Sequence, residues 1–366
     1  MKLQTKAGCF FVFFCGAIFS TNSIGHHSRA EFSSEIRVIE GSILSVHWRN
    51  PHPQIMLRVL GDSGQQETWD IAVWGAANLL NRLGVTGDLL NVGDRVKVAG
   101  QVSSRREYYF QGTNLLLPGG LELILQPNLM PRWSPQRFVG NRVQHSLLVS
   151  QSQSRLPEGN VSGIFRVWTP IITVSGRGFD GRDSDSAPSL GFSRAVLPLT
   201  PSAEEKKRNW DPETDNPILR CQAPGMPGAM STPHPIEFEQ GPEGIILLHL
   251  EEWDLTRIIY MAPQLPKDDD LLRPLGYSVG NWDGNTLLVM TTGIDYPYSI
   301  WDGVPQSRQT EIAERFSFEE DQRTLSWEAT IVDPETFTEP LTVPPVHWKW
   351  VPGEEIQPYN CSLGPE

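Results

Sequence analysis

The chain has 366 residues, with 43 acidic against 30 basic side chains and a formal net charge of −13. That imbalance argues against nucleic acid and anionic membrane surfaces as partners, because both repel a negative protein. The length suffices for two domains, and the 30 prolines, 32 glycines and 12 tryptophans point to frequent turns and strand-compatible aromatics, hence a mainly β chain.

At the N-terminus, Lys2 and Lys6 flank the start of an apolar run over residues 8–19, which breaks at Ser20-Thr21-Asn22. Ser23 and Gly25 place small residues at −3 and −1 of a cut after Gly25, the layout of a secretory signal peptide. The run is well short of the roughly 20 residues a membrane span needs. The expectation is a protein of the periplasm or one secreted outright, with residues 1–25 removed and no stable membrane span left. Cys9 and Cys15 leave with that segment, so Cys221 and Cys361 are expected to pair as one disulfide in an oxidising compartment. Closing a loop of about 140 residues is worth roughly 4–5 kcal/mol in the chain-entropy picture.

Residues 35–60 alternate as two strands interrupted at Asn50-Pro51, and residues 66–74 alternate as a third. Residues 76–84 read as a short helix ending at Gly84, and Gly93-Asp94 turns into a strand from Arg95. Residues 107–117 and 120–126 form a hairpin around Pro118-Gly119-Gly120. Residues 26–127 are therefore expected to form a small OB-like or SH3-like barrel with one short helix. Residues 128–200 read as a linker with a partly disordered segment, low in complexity over 175–191, although 161–173 has a strand pattern. Residues 201–209 suggest a helical turn. From Pro235 onward the pattern is a meander: PIEFEQ, GIILLHLEEW, LTRIIYM, TLLVMTTGI, TEIAERFSFEE, RTLSWEATIVD and LTVPPVHWKWV are separated by turns such as Asp283-Gly284-Asn285. The domain over 201–366 is expected to be an antiparallel, lipocalin-like barrel or sandwich.

The segments HHSRAEF (26–32), EGSILSVHWRNPH (40–52), TWDIAVWGAANLLNRLGV (68–85) and GDRVKVAG (93–100) resemble DUF6152, a bacterial exported family with a His-His-Ser after the signal peptide and a Trp-x-Asn-Pro-His motif. The resemblance covers about residues 26–126. The segments at 197–230, 276–294, 306–318 and 348–361 resemble a β-rich region of other bacterial exported proteins. Both resemblances imply export, and neither implies an activity.

Two constellations could carry chemistry. A cut after Gly25 makes His26 the first residue, and its amine and imidazole could chelate a metal together with His27, His47 and His52; nitrogen ligands of this kind suit copper(II). The bland alternative is a loose terminus and a histidine bonded within its own turn. In the C-terminal domain, Trp253, Trp282, Trp301, Trp327, Trp348 and Trp350 are spread over the strands, either as core or as cavity lining. Arg257 and Arg315, with Trp282 and Trp301, are the candidate ligand-binding residues, the arginines suited to pairing an acid group. No GxSxG, HExxH, P-loop or dinucleotide fingerprint is present. The leading expectation is an exported binding or accessory protein that takes a metal ion in the N-terminal domain and a small apolar molecule in the C-terminal one. The alternatives are a hydrolase or isomerase acting on a lipophilic small molecule, and an envelope scaffold without a small-molecule site.

Overall fold

The first strand, β1 (Phe32–His47), is long enough to belong to two neighbours in succession. Its first part pairs with β4 (Arg95–Ser103) and its last part with β2 (Gln54–Leu60), and the handover falls at Gly41, which is in register with both Val96 and Val59. The strand can bend through this point because Gly41 lacks a side chain: a Cβ there would lie 2.6 Å from the Arg58 carbonyl oxygen. β2 pairs on its other side with β3 (Gln66–Val73), and β3 closes the ring by a parallel ladder to β5 (Tyr109–Leu116). The ring order is therefore β1-β2-β3-β5-β4, with the helix α1 (Ala77–Arg82) between the third and fourth strands. This is the OB arrangement. Ile43, Ile55, Leu57, Ile71, Val98 and Phe110 fill its interior, and Leu80 of α1 packs onto one end. Two short strands, β6 (Glu122–Ile124) and β7 (Phe138–Val139), extend the sheet beyond β5.

The computed structural model describes residues 32–61, 63–141, 163–171, 197–211, 214–261, 273–300, 303–318 and 322–363. The expected signal peptide, His26, His27, Trp301 and the low-complexity stretch 175–191 lie outside the described residues. Of the span 128–200 read as linker, residues 138–139 form β7, and β8 (Val167–Pro170) is a stave of the second barrel.

That second barrel closes over nine strands. Besides β8 they are, in chain order, β9 (Ile236–Gln240), β10 (Ile245–Leu250), β11 (Leu255–Tyr260), β12 (Tyr277–Asp283) and β13 (Thr286–Thr292). A small hairpin, β14 (Tyr298–Ile300) with β15 (Val304–Pro305), stands apart, and β16 (Glu311–Phe318), β17 (Thr324–Val332) and β18 (Leu341–Trp350) complete the wall. The helix α2 (Pro201–Asn209), capped by the Thr200 side chain, packs on β15. β18 tolerates Pro344 and Pro345 because its pairing with β17 is irregular between Trp327 and Ala329, which relieves them of ladder donors. All pairs in the barrel are antiparallel but one: β11 and β12 run parallel. The barrel's interior is solid where Trp168, Trp327, Trp348, Phe238 and Phe316 interlock.

Cys221 and Cys361 form a disulfide with Cα atoms 5.8 Å apart. The chain is thus mainly β, with an OB ring at one end and a closed barrel at the other. Among the described residues, no helix is long and apolar enough to cross a membrane.

Candidate functional site

The β11–β12 ladder consists of only two residue pairs, Ile259 with Ser278 and Tyr260 with Val279. The strands diverge because the chain turns tightly just before β12: Gly276 has φ +69°, its N–H donates to the Arg273 carbonyl at 2.9 Å, and Arg273 bridges to Ile294. A wedge-shaped cavity of about 610 Å³ opens between the two strands. One wall is the first part of β11, Leu255 to Ile258. Opposite are Pro274 to Tyr277, with Tyr296 and Pro297 beyond them, and the segment Gln222–Pro224 closes one side. Tyr260 and Tyr277 stack at 5.1 Å across the point where the strands meet. The charged residues of the described lining are both arginines, Arg257 and Arg273.

Behind this wall lies a polar cluster inside the barrel. The Arg257 guanidinium donates to Glu314 through both terminal nitrogens, at 2.8 Å for Nη1 to Oε1, and its Nε donates to Ser278 Oγ at 3.0 Å. Nη2 also donates to Thr291 Oγ1 at 2.6 Å, and Trp327 Nε1 donates to Glu314 at 3.0 Å. A bidentate pair with every remaining lone pair occupied is the form in which charges survive burial.

The expected ligand set is dispersed by this geometry. Arg257 reaches the cavity wall but is fully engaged by Glu314. Arg315 points from the outer face of β16, opposite in direction to Glu314, and Trp282 is exposed near the end of β12. The tyrosines that line the cavity were missed because each sits on a half-buried outward position, where composition gives no signal.

In the OB ring, His47 ends β1, and His52 lies in the turn after Asn50-Pro51. Burial pushes the His52 imidazole down to about 4, although hydrogen bonding with the backbone at Trp74 and Val73 works the other way. Asp70, on β3, is pushed up to about 6 by burial, partly offset by the charges of Arg106 and His47. Among the described residues no group of three or more His, Cys, Asp or Glu is arranged to hold a metal ion.

The residues around the Trp-x-Asn-Pro-His segment do something the sequence reading did not anticipate: they join the two barrels. Asn50 Nδ2 donates to Asn78 Oδ1 at 2.9 Å and to the Tyr359 carbonyl, and its backbone oxygen accepts from Ser362 N at 3.1 Å. Trp48 Nε1 donates to Asn81 Oδ1 at 2.8 Å, tying that segment to α1. From α1, Asn78 and Arg82 reach Glu251 at the end of β10, with Arg82 Nη1 to Oε1 at 2.6 Å, and Arg82 Nε meets Glu354 at 2.6 Å. Glu251 is wholly buried and also takes His234 Nδ1 at 2.9 Å and Gln357 N at 3.0 Å. Burial works against its charge, but the bonds from His234 and Arg82 outweigh it and hold the carboxyl below the usual range. Next to it Glu252 is raised, by burial first and by the Glu251 charge, against the pull of His234 and Thr232. The tail 354–362 runs between the barrels and is pinned at its end by Cys361, whose partner Cys221 adjoins the Gln222–Pro224 wall of the cavity.

Fold and site together define a two-barrel protein with a cavity at the β11–β12 seam. Residues 16–110 match the model of DUF6152, a family of unknown function. The match covers most of the OB ring, including Asn50, Asn78 and Arg82, ends within β5, and leaves the nine-stranded barrel outside it. No curated protein matches the chain.

Proposed function

We propose that this chain is an exported binding protein whose nine-stranded barrel holds a small, largely apolar molecule in the cavity beside β11. The cavity itself carries the reading: about 610 Å³, within the range of small-molecule sites, and walled by tyrosines, prolines and leucines. The leader-like residues 1–25 and the disulfide both fit an oxidising compartment outside the cytoplasm. The test is titration with 1-anilinonaphthalene-8-sulfonate, a fluorescent apolar probe, against the parent protein and Ala223→Trp, which would fill the cavity from its side wall. Saturable binding lost by at least tenfold in the variant, with an unchanged circular dichroism spectrum, is expected. Equal binding in both, or none in either, would overturn the reading. N-terminal mass spectrometry of the exported protein tests the location; a mature chain that still begins at Met1 would remove it.

A further inference from the structure

The cavity has one wall of a kind that apolar pockets rarely have. In an antiparallel ladder, successive residues of a strand direct their N–H and C=O groups alternately to the two sides. β10 takes one side of β11 along its whole length, from Leu250 opposite Leu255 to Ile245 opposite Tyr260. On the other side, among the described residues, β12 engages only Ile259 and Tyr260. Residues 255–258 therefore turn one backbone edge to the cavity, and these are the four consecutive residues that line it. Among the described residues no strand lies along that edge, and the chain enters β12 through the turn at Gly276. Most sheet edges are covered or blunted by charge or proline. This one carries Leu-Thr-Arg-Ile, and the side chain of its one charged residue, Arg257, is directed inward to Glu314.

We propose that the cavity binds an extended peptide segment of about four residues, added to β11 as a short strand. The proposal rests on the binding reading above and names its ligand class. Backbone pairing along the exposed edge supplies the affinity. Side chains on one face of the added strand meet Tyr260, Tyr277 and Tyr296, which favours apolar or aromatic residues at alternate positions. An edge of four residues spans roughly 13 Å at strand rise, which sets the length.

The experiment uses the full-length exported protein and N-acetyl-Val-Phe-Val-Phe, with calorimetry as the readout. Four analogues, each N-methylated at one amide, complete the set, since methylation removes one donor and leaves the side chains alone. The expected result is saturable binding that falls at least tenfold on methylation at alternate amides and changes less than threefold at the others. Amide hydrogen exchange within 255–258 should slow at alternate residues when the peptide binds, and Ala223→Trp should abolish both effects. Binding of the anilinonaphthalene probe without binding of the peptide would overturn the strand addition and leave the apolar pocket standing. Peptide binding that is equally insensitive to methylation at every amide would do the same. Binding of neither ligand would overturn both readings.

Discussion

Two buried or largely buried groups of the OB ring, Asp70 and His52, have shifted proton affinities. Asp70 has a folded value near 6, above that of an unfolded aspartate, so the folded state holds its proton more tightly. Its contribution is fully present below about pH 4 and is lost as pH rises to about 6, on the order of 2–3 kcal/mol. His52 works in the opposite sense over nearly the same interval. Its folded value of about 4 lies below the unfolded one, so stability is lost as pH falls from about 6.5 toward 4. The two nearly cancel in the parent protein, and single variants should expose each. Urea unfolding at pH 4.5 and 6.5 should find Asp70→Asn relatively more stable at the higher pH than the parent is, and His52→Gln relatively more stable at the lower. Identical pH dependence in all three proteins would contradict both assignments.

Glu251 is the residue on which the two barrels depend. It carries a depressed carboxyl value, so its stabilisation is fully present above the ordinary glutamate range and is lost as pH falls below that range through the lower folded value. Arg82→Ala would leave this carboxylate buried with His234, Asn78 and a backbone N–H as its remaining donors. Breaking a buried pair from one side costs about 3–5 kcal/mol. Chemical denaturation of Arg82→Ala should therefore find a loss of about 3 kcal/mol, the low end, because those donors persist. A loss below about 1 kcal/mol would mean that the pair does not hold the barrels together.

At the scale of elements, two departures from regular pattern shape the molecule. β1 bends through Gly41, and Gly41→Ala would force a Cβ against the Arg58 carbonyl. The expected cost is about 1–3 kcal/mol, measured as a shifted urea midpoint with an unchanged slope. β12 was not among the strands read from sequence, and the reason is physical. Its inward positions are Ser278 and Gly280 while Val279 faces outward, the reverse of the usual alternation, because Ser278 is spent on Arg257. Arg257 and Glu314 likewise occupy inward positions of β11 and β16, where they pair with each other. The other eight strands of the nine-stranded barrel, with Ile, Leu, Phe, Val and Trp at alternate inward positions, were legible from alternation.

On the scale of the whole molecule, the disulfide and the Glu251 cluster act on one tail. Residues 354–362 contact Asn50, Asn78 and Arg82 at one side, and within them Cys361 is bonded to Cys221, the chain neighbour of the cavity-lining Gln222. Replacing both cysteines by serine should cost about 2–5 kcal/mol and also weaken probe binding in the cavity, whereas Gly41→Ala should leave probe binding unchanged. Calorimetry on the parent should find one unfolding transition for both barrels, and Arg82→Ala should separate it into two.

The amino-acid sequence by itself determined the mainly β class, the helix position, the cysteine pair and the small barrel over residues 26–127, because each depends on local alternation, turn residues or a count. It also marked the Trp-x-Asn-Pro-His segment as special without saying why. Only the tertiary structure decided that Asn50, Asn78 and Arg82 serve a domain junction and that residues 255–258 of β11 line a cavity. Those outcomes depend on side chains and strands brought together from positions far apart in the chain, and no local pattern encodes which distant partner a buried polar group will meet.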